Sequence, residues 1–72
     1  MPQNYTTTCS GQVTLVSDPR TPLTLPAGSV ITTDDAVGNT LPAGSRAVVG
    51  NWVGDPSKNG QTIDTHTLIT LA

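Results

Sequence analysis

Seventy-two residues allow one small domain, and a single cysteine (Cys9) and a single histidine (His66) leave it without an intrachain disulfide or the ligand set of a one-chain zinc site. Three Lys/Arg against five Asp, and only Tyr5 and Trp52 as aromatics, give neither a basic patch nor interleaved stacking platforms, which argues against nucleic-acid binding. No run is apolar enough to cross a bilayer and the N-terminus lacks the apolar core of a secretory signal, so the expected location is the cytoplasm or something assembled there, with no membrane partner.

In chain order, residues 1–11 (MPQNYTTTCSG) are polar apart from Tyr5 and read as an extended N-terminal arm; residues 12–72 then form a single β-domain. Gln12–Ser17 alternates as a first strand, with Val13 and Leu15 on one side and Thr14 on the other. Asp18-Pro19-Arg20-Thr21-Pro22 breaks it, and Pro22 confines Leu23–Leu25 to a sheet edge or an extended loop.

Next comes a hexapeptide that occurs twice, Thr24-Leu25-Pro26-Ala27-Gly28-Ser29 and Thr40-Leu41-Pro42-Ala43-Gly44-Ser45. Proline presets φ for the second position of a type I turn, and glycine two residues on can adopt the left-handed conformation that closes a bulged hairpin. Each copy feeds a β-branched or small apolar stretch, Val30-Ile31 and Ala47-Val48-Val49. Two hairpins with the same turn chemistry and a duplicated β-unit both fit this pattern.

Ser29–Thr33 is expected to be a strand and Asp34–Asn39 a loop. Arg46–Val53 reads as the central strand, with Ala47, Val49 and Val53 on one face, Arg46, Val48 and Trp52 on the other, and Gly50 permitting a bulge or a close backbone approach. Gly54–Gly60 is a turn-rich hairpin loop, and Gln61–Leu71 closes the chain with Ile63, Thr65, Thr67, Ile69 and Leu71 on one face. No segment has helical periodicity, so the class is all-β, a small antiparallel sandwich or barrel.

Residues that carry chemistry elsewhere are present here only in fragments. Asp34-Asp35 point to opposite faces of any extended segment and lack the spaced oxygens of a calcium loop. Asp64 and His66 share a strand face without a third ligand, and Cys9 is far along the chain from His66. Gly54–Gly60 departs from a phosphate-binding loop because Gln61 follows the second glycine and no helix follows. Thr65-His66-Thr67 is one pair where an ice-binding sheet needs a regular array. The expected protein is not an enzyme and takes no cofactor or metal.

Eighteen large apolar residues (seven Val, six Leu, three Ile, one Met, one Trp) make a thin core, and small scaffolds without a disulfide or metal draw stability from partners. Charged residues are only 11% of the chain, while thirteen threonines supply a polar, uncharged exterior suited to a pleated surface. The regions expected to meet a partner are the arm around Tyr5, the strand around Trp52 and Val53, and Leu68 on the closing strand; tryptophan is enriched at interface hot spots.

Leu-Pro-Ala-Gly-Ser followed by a β-branched strand (Leu25 to Ile31, and Leu41 to Val49), in a short, threonine-rich, cysteine-poor chain, resembles the small β-structured virion proteins of tailed bacteriophages, capsid decoration or cement proteins above all. The resemblance implies a non-enzymatic structural protein of the capsid surface. It would assemble in the host cytoplasm and bind the major capsid protein and copies of itself as a dimer or trimer. The alternative is a carbohydrate- or receptor-binding β-module of a phage fibre or attachment protein.

Overall fold

A computed structural model describes all 72 residues. Eight strands form in chain order: β1 (Gln3–Thr6), β2 (Gly11–Leu15), β3 (Asp18–Leu25), β4 (Val30–Thr33), β5 (Thr40–Leu41), β6 (Arg46–Asn51), β7 (Thr62–Thr65) and β8 (Ile69–Thr70), with a short 3-10 turn at Pro56–Lys58. Six of them make one antiparallel sheet in the order β1-β4-β6-β7-β2-β3, and β5 pairs with β8. The all-β, antiparallel class expected from periodicity is present, but the strands do not close into a barrel.

The N-terminal segment is no extended arm. β1 pairs with β4 over its whole length, Gln3 opposite Thr33 through Thr6 opposite Val30. Its polarity reflects its place at the end of the sheet: Gln3, Asn4 and Thr6 face solvent, Tyr5 packs against the core, and Thr7 is buried with its hydroxyl bonded. A buried threonine whose polar atom is satisfied counts as polar in any hydropathy reading and as core in the fold.

The duplicated hexapeptides are corners and not hairpins, since the strands they join, β3 to β4 and β5 to β6, are not paired with each other. Proline occupies the first turn position, and glycine the third, at φ 88° (Gly28) and 83° (Gly44), as a type II turn demands. Each corner is held by a buried threonine from elsewhere in the chain. Thr7 donates its hydroxyl to Pro26 O (2.9 Å) and accepts from Ser29 N (3.1 Å), while its backbone accepts from Gly28 N and donates to Ser29 O, both at 2.8 Å. Thr65 repeats the pattern on the second corner: hydroxyl to Pro42 O (2.7 Å), Ser45 N to hydroxyl (3.0 Å), Gly44 N to Thr65 O (2.7 Å) and Thr65 N to Ser45 O (2.8 Å).

The correspondence extends well beyond the clamps. Residues 24–33 match 40–49, and residues 3–14 match 61–72. Tyr5 opposite Ile31 repeats as Ile63 opposite Ala47. Gly11 opposite Leu25 repeats as Ile69 opposite Leu41. The bond from Thr8 N to Thr70 O (2.9 Å) repeats as His66 N to Gln12 O (2.8 Å), each crossing from one half to the other. A bridge between Thr7 and Leu71 joins the small sheet to β1, just as Val13 meets Thr65 in the large one. Including that bridge, the strand order reads β5-β8-β1-β4-β6-β7-β2-β3, which is unchanged by exchanging the halves. The pseudo-twofold passes between β4 and β6 at the pair Thr32–Val48.

Ten buried side chains drawn from both halves form a single core, among them Leu25 and its counterpart Leu41, Val13 and its counterpart Leu71, and Ile31 and its counterpart Ala47. Gly11 and its counterpart Ile69 cannot both be large. A Cβ on Gly11 would lie 2.7 Å from Ile69 Cδ1, so one side chain fills the space of two. The two prolines of β3 fall where its ladder with β2 is irregular and on the last strand of the sheet, which matches the edge position expected of Leu23–Leu25. The expected closing strand is interrupted at residues 66–68, which form a bend between β7 and β8.

Replacing Thr7 or Thr65 by valine keeps the shape but leaves the corner's serine N–H with only its long turn bond and takes one donor from the proline carbonyl, which in the first corner keeps Ser29 Oγ at 2.8 Å. Urea unfolding is expected to show each variant destabilised by about 1–3 kcal/mol, with Thr7→Ser and Thr65→Ser much closer to the parent. A loss of only a few tenths of a kcal/mol in both valine variants would contradict the role given to the clamps.

Candidate interaction surface

The residues singled out for partner contact do not share one surface. Gly50 is an extra residue in β6: Val30 lies opposite Asn51 and Ile31 opposite Val49, so the strand bulges there. The bulge shifts the alternation by one position and turns Trp52 inward beside Ala47 and Val49, 6% exposed, while Val53 turns out at 43%. The two-face division of Arg46–Val53 therefore holds only as far as Val49. Tyr5 is half-buried against the core, and Leu68 is exposed in the bend between β7 and β8. Val53 sits by the first corner, its N–H 3.4 Å from Ser29 Oγ, whereas Leu68 follows Thr65, which clamps the second.

Trp52 is fixed from three sides. Asn59 Oδ1 accepts its backbone N–H (2.8 Å), its ring joins the core, and Lys58 Nζ stands 5.4 Å from the ring centroid. Asp55 pairs with Lys58, and Ser57 donates to the same carboxylate. These hydrogen bonds, from Lys58 first and Ser57 second, hold the Asp55 carboxyl below its ordinary range. The loop thus folds onto the tryptophan as an ion-paired cap.

Of the ionisable groups considered for chemistry, Asp35, Asp64, His66 and Cys9 are engaged in structural bonds. Asp35 Oδ2 accepts the backbone N–H of Arg46 (3.0 Å), and Asp64 pairs with Arg46 Nε (3.0 Å). His66 Nε2 meets Thr14 Oγ1 at 2.9 Å. Hydrogen bonds from the Thr70 side chain and backbone draw the Cys9 thiol below its usual value, its sulfur accepting from the Thr70 hydroxyl at 3.1 Å. No three His, Cys, Asp or Glu side chains converge in a metal-binding group.

A different surface emerges at the pseudo-twofold. Asn4, Thr32, Val48 and Thr62 stand in one register row across β1, β4, β6 and β7, all on the face away from the core. Thr32 donates to Asn4 Oδ1 (2.6 Å), and Val48, 42% exposed, is the apolar centre of the row. Arg46 and Asp64 flank it as a partly exposed, mutually neutralising pair. An open groove lined by Pro2, Thr32, Asp35, Arg46, Val48 and Thr62 runs over the same face. Sequence reading missed this row, although a signal was present: Thr32 and Val48 each lie three residues after the serine of their hexapeptide.

Comparison with known proteins finds no matching family model, no matching curated protein and no matching solved structure.

Because the folded Asp55 carboxyl titrates below its unfolded value, its contribution to stability is complete above the ordinary carboxylate range and is lost as pH falls through that range toward the depressed value. Trp52 fluorescence is expected to change on acidification below about pH 4 as the cap loosens. In Asp55→Asn that step should be missing and the starting spectrum should already resemble the acid form. An unchanged acid step in the variant would assign it to another group.

Proposed function

We propose that this chain is a non-enzymatic virion subunit, a capsid decoration or cement protein that docks on the outside of a phage head and bridges neighbouring copies of the major capsid protein. The observation that carries the reading is the outward sheet face centred on Val48: uncharged in its central row, placed on the pseudo-twofold, and belonging to a chain whose ten-residue core has no covalent or metal reinforcement. A face of hydroxyl, amide and isopropyl groups forms contacts without a large cost of stripping water from charges. Its two-sided pattern suits the junction of two like subunits. Association with copies of itself, as a dimer or trimer, would place several such faces on one shell and turn modest single contacts into avidity.

The alternative, a carbohydrate- or receptor-binding module, relies on exposed aromatic rings. Trp52 is buried and capped by Lys58, and Tyr5 leans on the core, so the structural shell reading is preferred.

Co-sedimentation with shells assembled from the major capsid protein of the proposed virion should give saturable occupancy. Val48→Asp is expected to reduce that occupancy about tenfold or more while shifting stability by no more than about 0.5 kcal/mol, as is usual for an exposed site. Failure of the parent chain to sediment with the shells, or equal binding by Val48→Asp, would reject the proposal.

A further inference from the structure

The two halves differ at one place where backbone pairing is at stake. In one half, β7 is covered on its outer side by β2: Thr14 lies opposite Asp64, Leu15 opposite Ile63, and Val16 N donates to Thr62 O at 2.9 Å. In the other half, β1 is covered in the corresponding way only at its end. Ala72 exchanges two backbone bonds with Thr6, Thr6 N to Ala72 O (3.4 Å) and Ala72 N to Thr6 O (2.8 Å), and beyond that pair the outer side of Tyr5, Asn4 and Gln3 has no neighbouring strand.

The alternation of an antiparallel ladder fixes which groups are free. Since Thr6 directs its N–H and C=O toward Ala72, Asn4, two residues away, directs its own to the same side. Asn4 is the counterpart of Thr62, whose carbonyl accepts the Val16 N–H.

We propose that the outer edge of β1 is a strand-addition site for an extended segment of another polypeptide. The segment runs antiparallel to β1 in line with β8, places a branched aliphatic side chain beside Tyr5 where Leu15 stands beside Ile63, and donates its next N–H to Asn4 O. The occupied half supplies the template for direction, register and side-chain type. The contrast between the two ends of the large sheet supports the same site. β3 carries Asp18, Pro19, Arg20 and Pro22, the charges and prolines that keep an edge from pairing, whereas β1 offers uncharged Gln3 and Asn4 with no proline among its four residues. This proposal rests on the ladder of β1 and not on the shell reading, since any protein with such a segment qualifies.

The test is an NMR titration of the full chain with the acetylated, amidated peptide Thr-Leu-Val-Ser-Asp, which reproduces the strand end that covers β7, taken to a few millimolar. Saturable amide shifts confined to residues 3–6 and their β4 partners are expected, and they should disappear in Asn4→Pro, whose ring blocks the outer side while the β4 side keeps its ladder. If Asn4→Pro fails to fold, the chain extended beyond Ala72 by Leu-Val-Ser replaces it as competitor: the tethered strand should abolish the peptide shifts, and a Gly-Gly-Ser extension should not. Absence of shifts, shifts centred on β3, or shifts that survive the block would overturn the proposal.

Discussion

Everything in this fold hangs on two threonine hydroxyls. Thr7 and Thr65 each reach into a Pro-Ala-Gly-Ser corner and bond one carbonyl and one N–H there: the backbone turn bonds Ser29 N to Pro26 O and Ser45 N to Pro42 O are long, at 3.4 and 3.3 Å, and only in the first corner does the serine hydroxyl, Ser29 Oγ, add a donor to the proline carbonyl, at 2.8 Å. In a core of ten apolar side chains, an unpaired buried amide costs as much as a missing methyl group or more. The clamps remove that penalty twice, and no buried side-chain polar atom is left without a partner. They also fix topology, because each clamp ties a corner to a strand distant in sequence: residue 7 to residues 26–29, and residue 65 to residues 42–45.

The pseudo-twofold explains why the same six residues occur in both corners while the surroundings diverge. Leucine is needed to enter the core, glycine to accept a positive φ, and the corner's backbone to meet the threonine. None of these demands applies to the loops, so Asp34–Asn39 is a short connection and Trp52–Gln61 is an ion-paired cap over an aromatic ring. Near the axis symmetry must break, as Gly11 and Ile69 show by dividing one space between a glycine and an isoleucine.

Much of this was legible in the sequence. The all-β class, the strands around Val13, Ile31 and Val49, the loops, the edge position of Leu23–Leu25 and the bulge at Gly50 follow from alternation and from Gly/Pro placement. Other features did not: the stretch from Asp18 to Pro22, expected to break the strand, belongs to β3, and the closing strand is split at residues 66–68. β1 was hidden because its own residues are polar and the buried threonine that follows it, Thr7, is polar by composition. The inward turn of Trp52 depended on how a one-residue bulge re-phases the strand, which alternation cannot foresee without the partner's register. The corner role of the hexapeptides required knowing that β3 and β4 are not neighbours. For the interaction surface, the single residues chosen by type, Tyr5, Trp52, Val53 and Leu68, were scattered by the fold, while Thr32 and Val48 were brought together by equal spacing from the repeated phrase.

The proposed docking face and the open edge of β1 are both consequences of two half-units meeting on an axis, one lying at the axis and the other where the halves cease to match. Amide hydrogen exchange tests that foundation most directly. If the two clamped corners form one cooperative unit, the amides of Gly28, Ser29, Gly44 and Ser45 exchange only through global opening, with a common free energy equal to that of unfolding. Fast local exchange at either corner, with the β4 and β6 amides still protected, would show that the clamps decorate the fold and do not hold it.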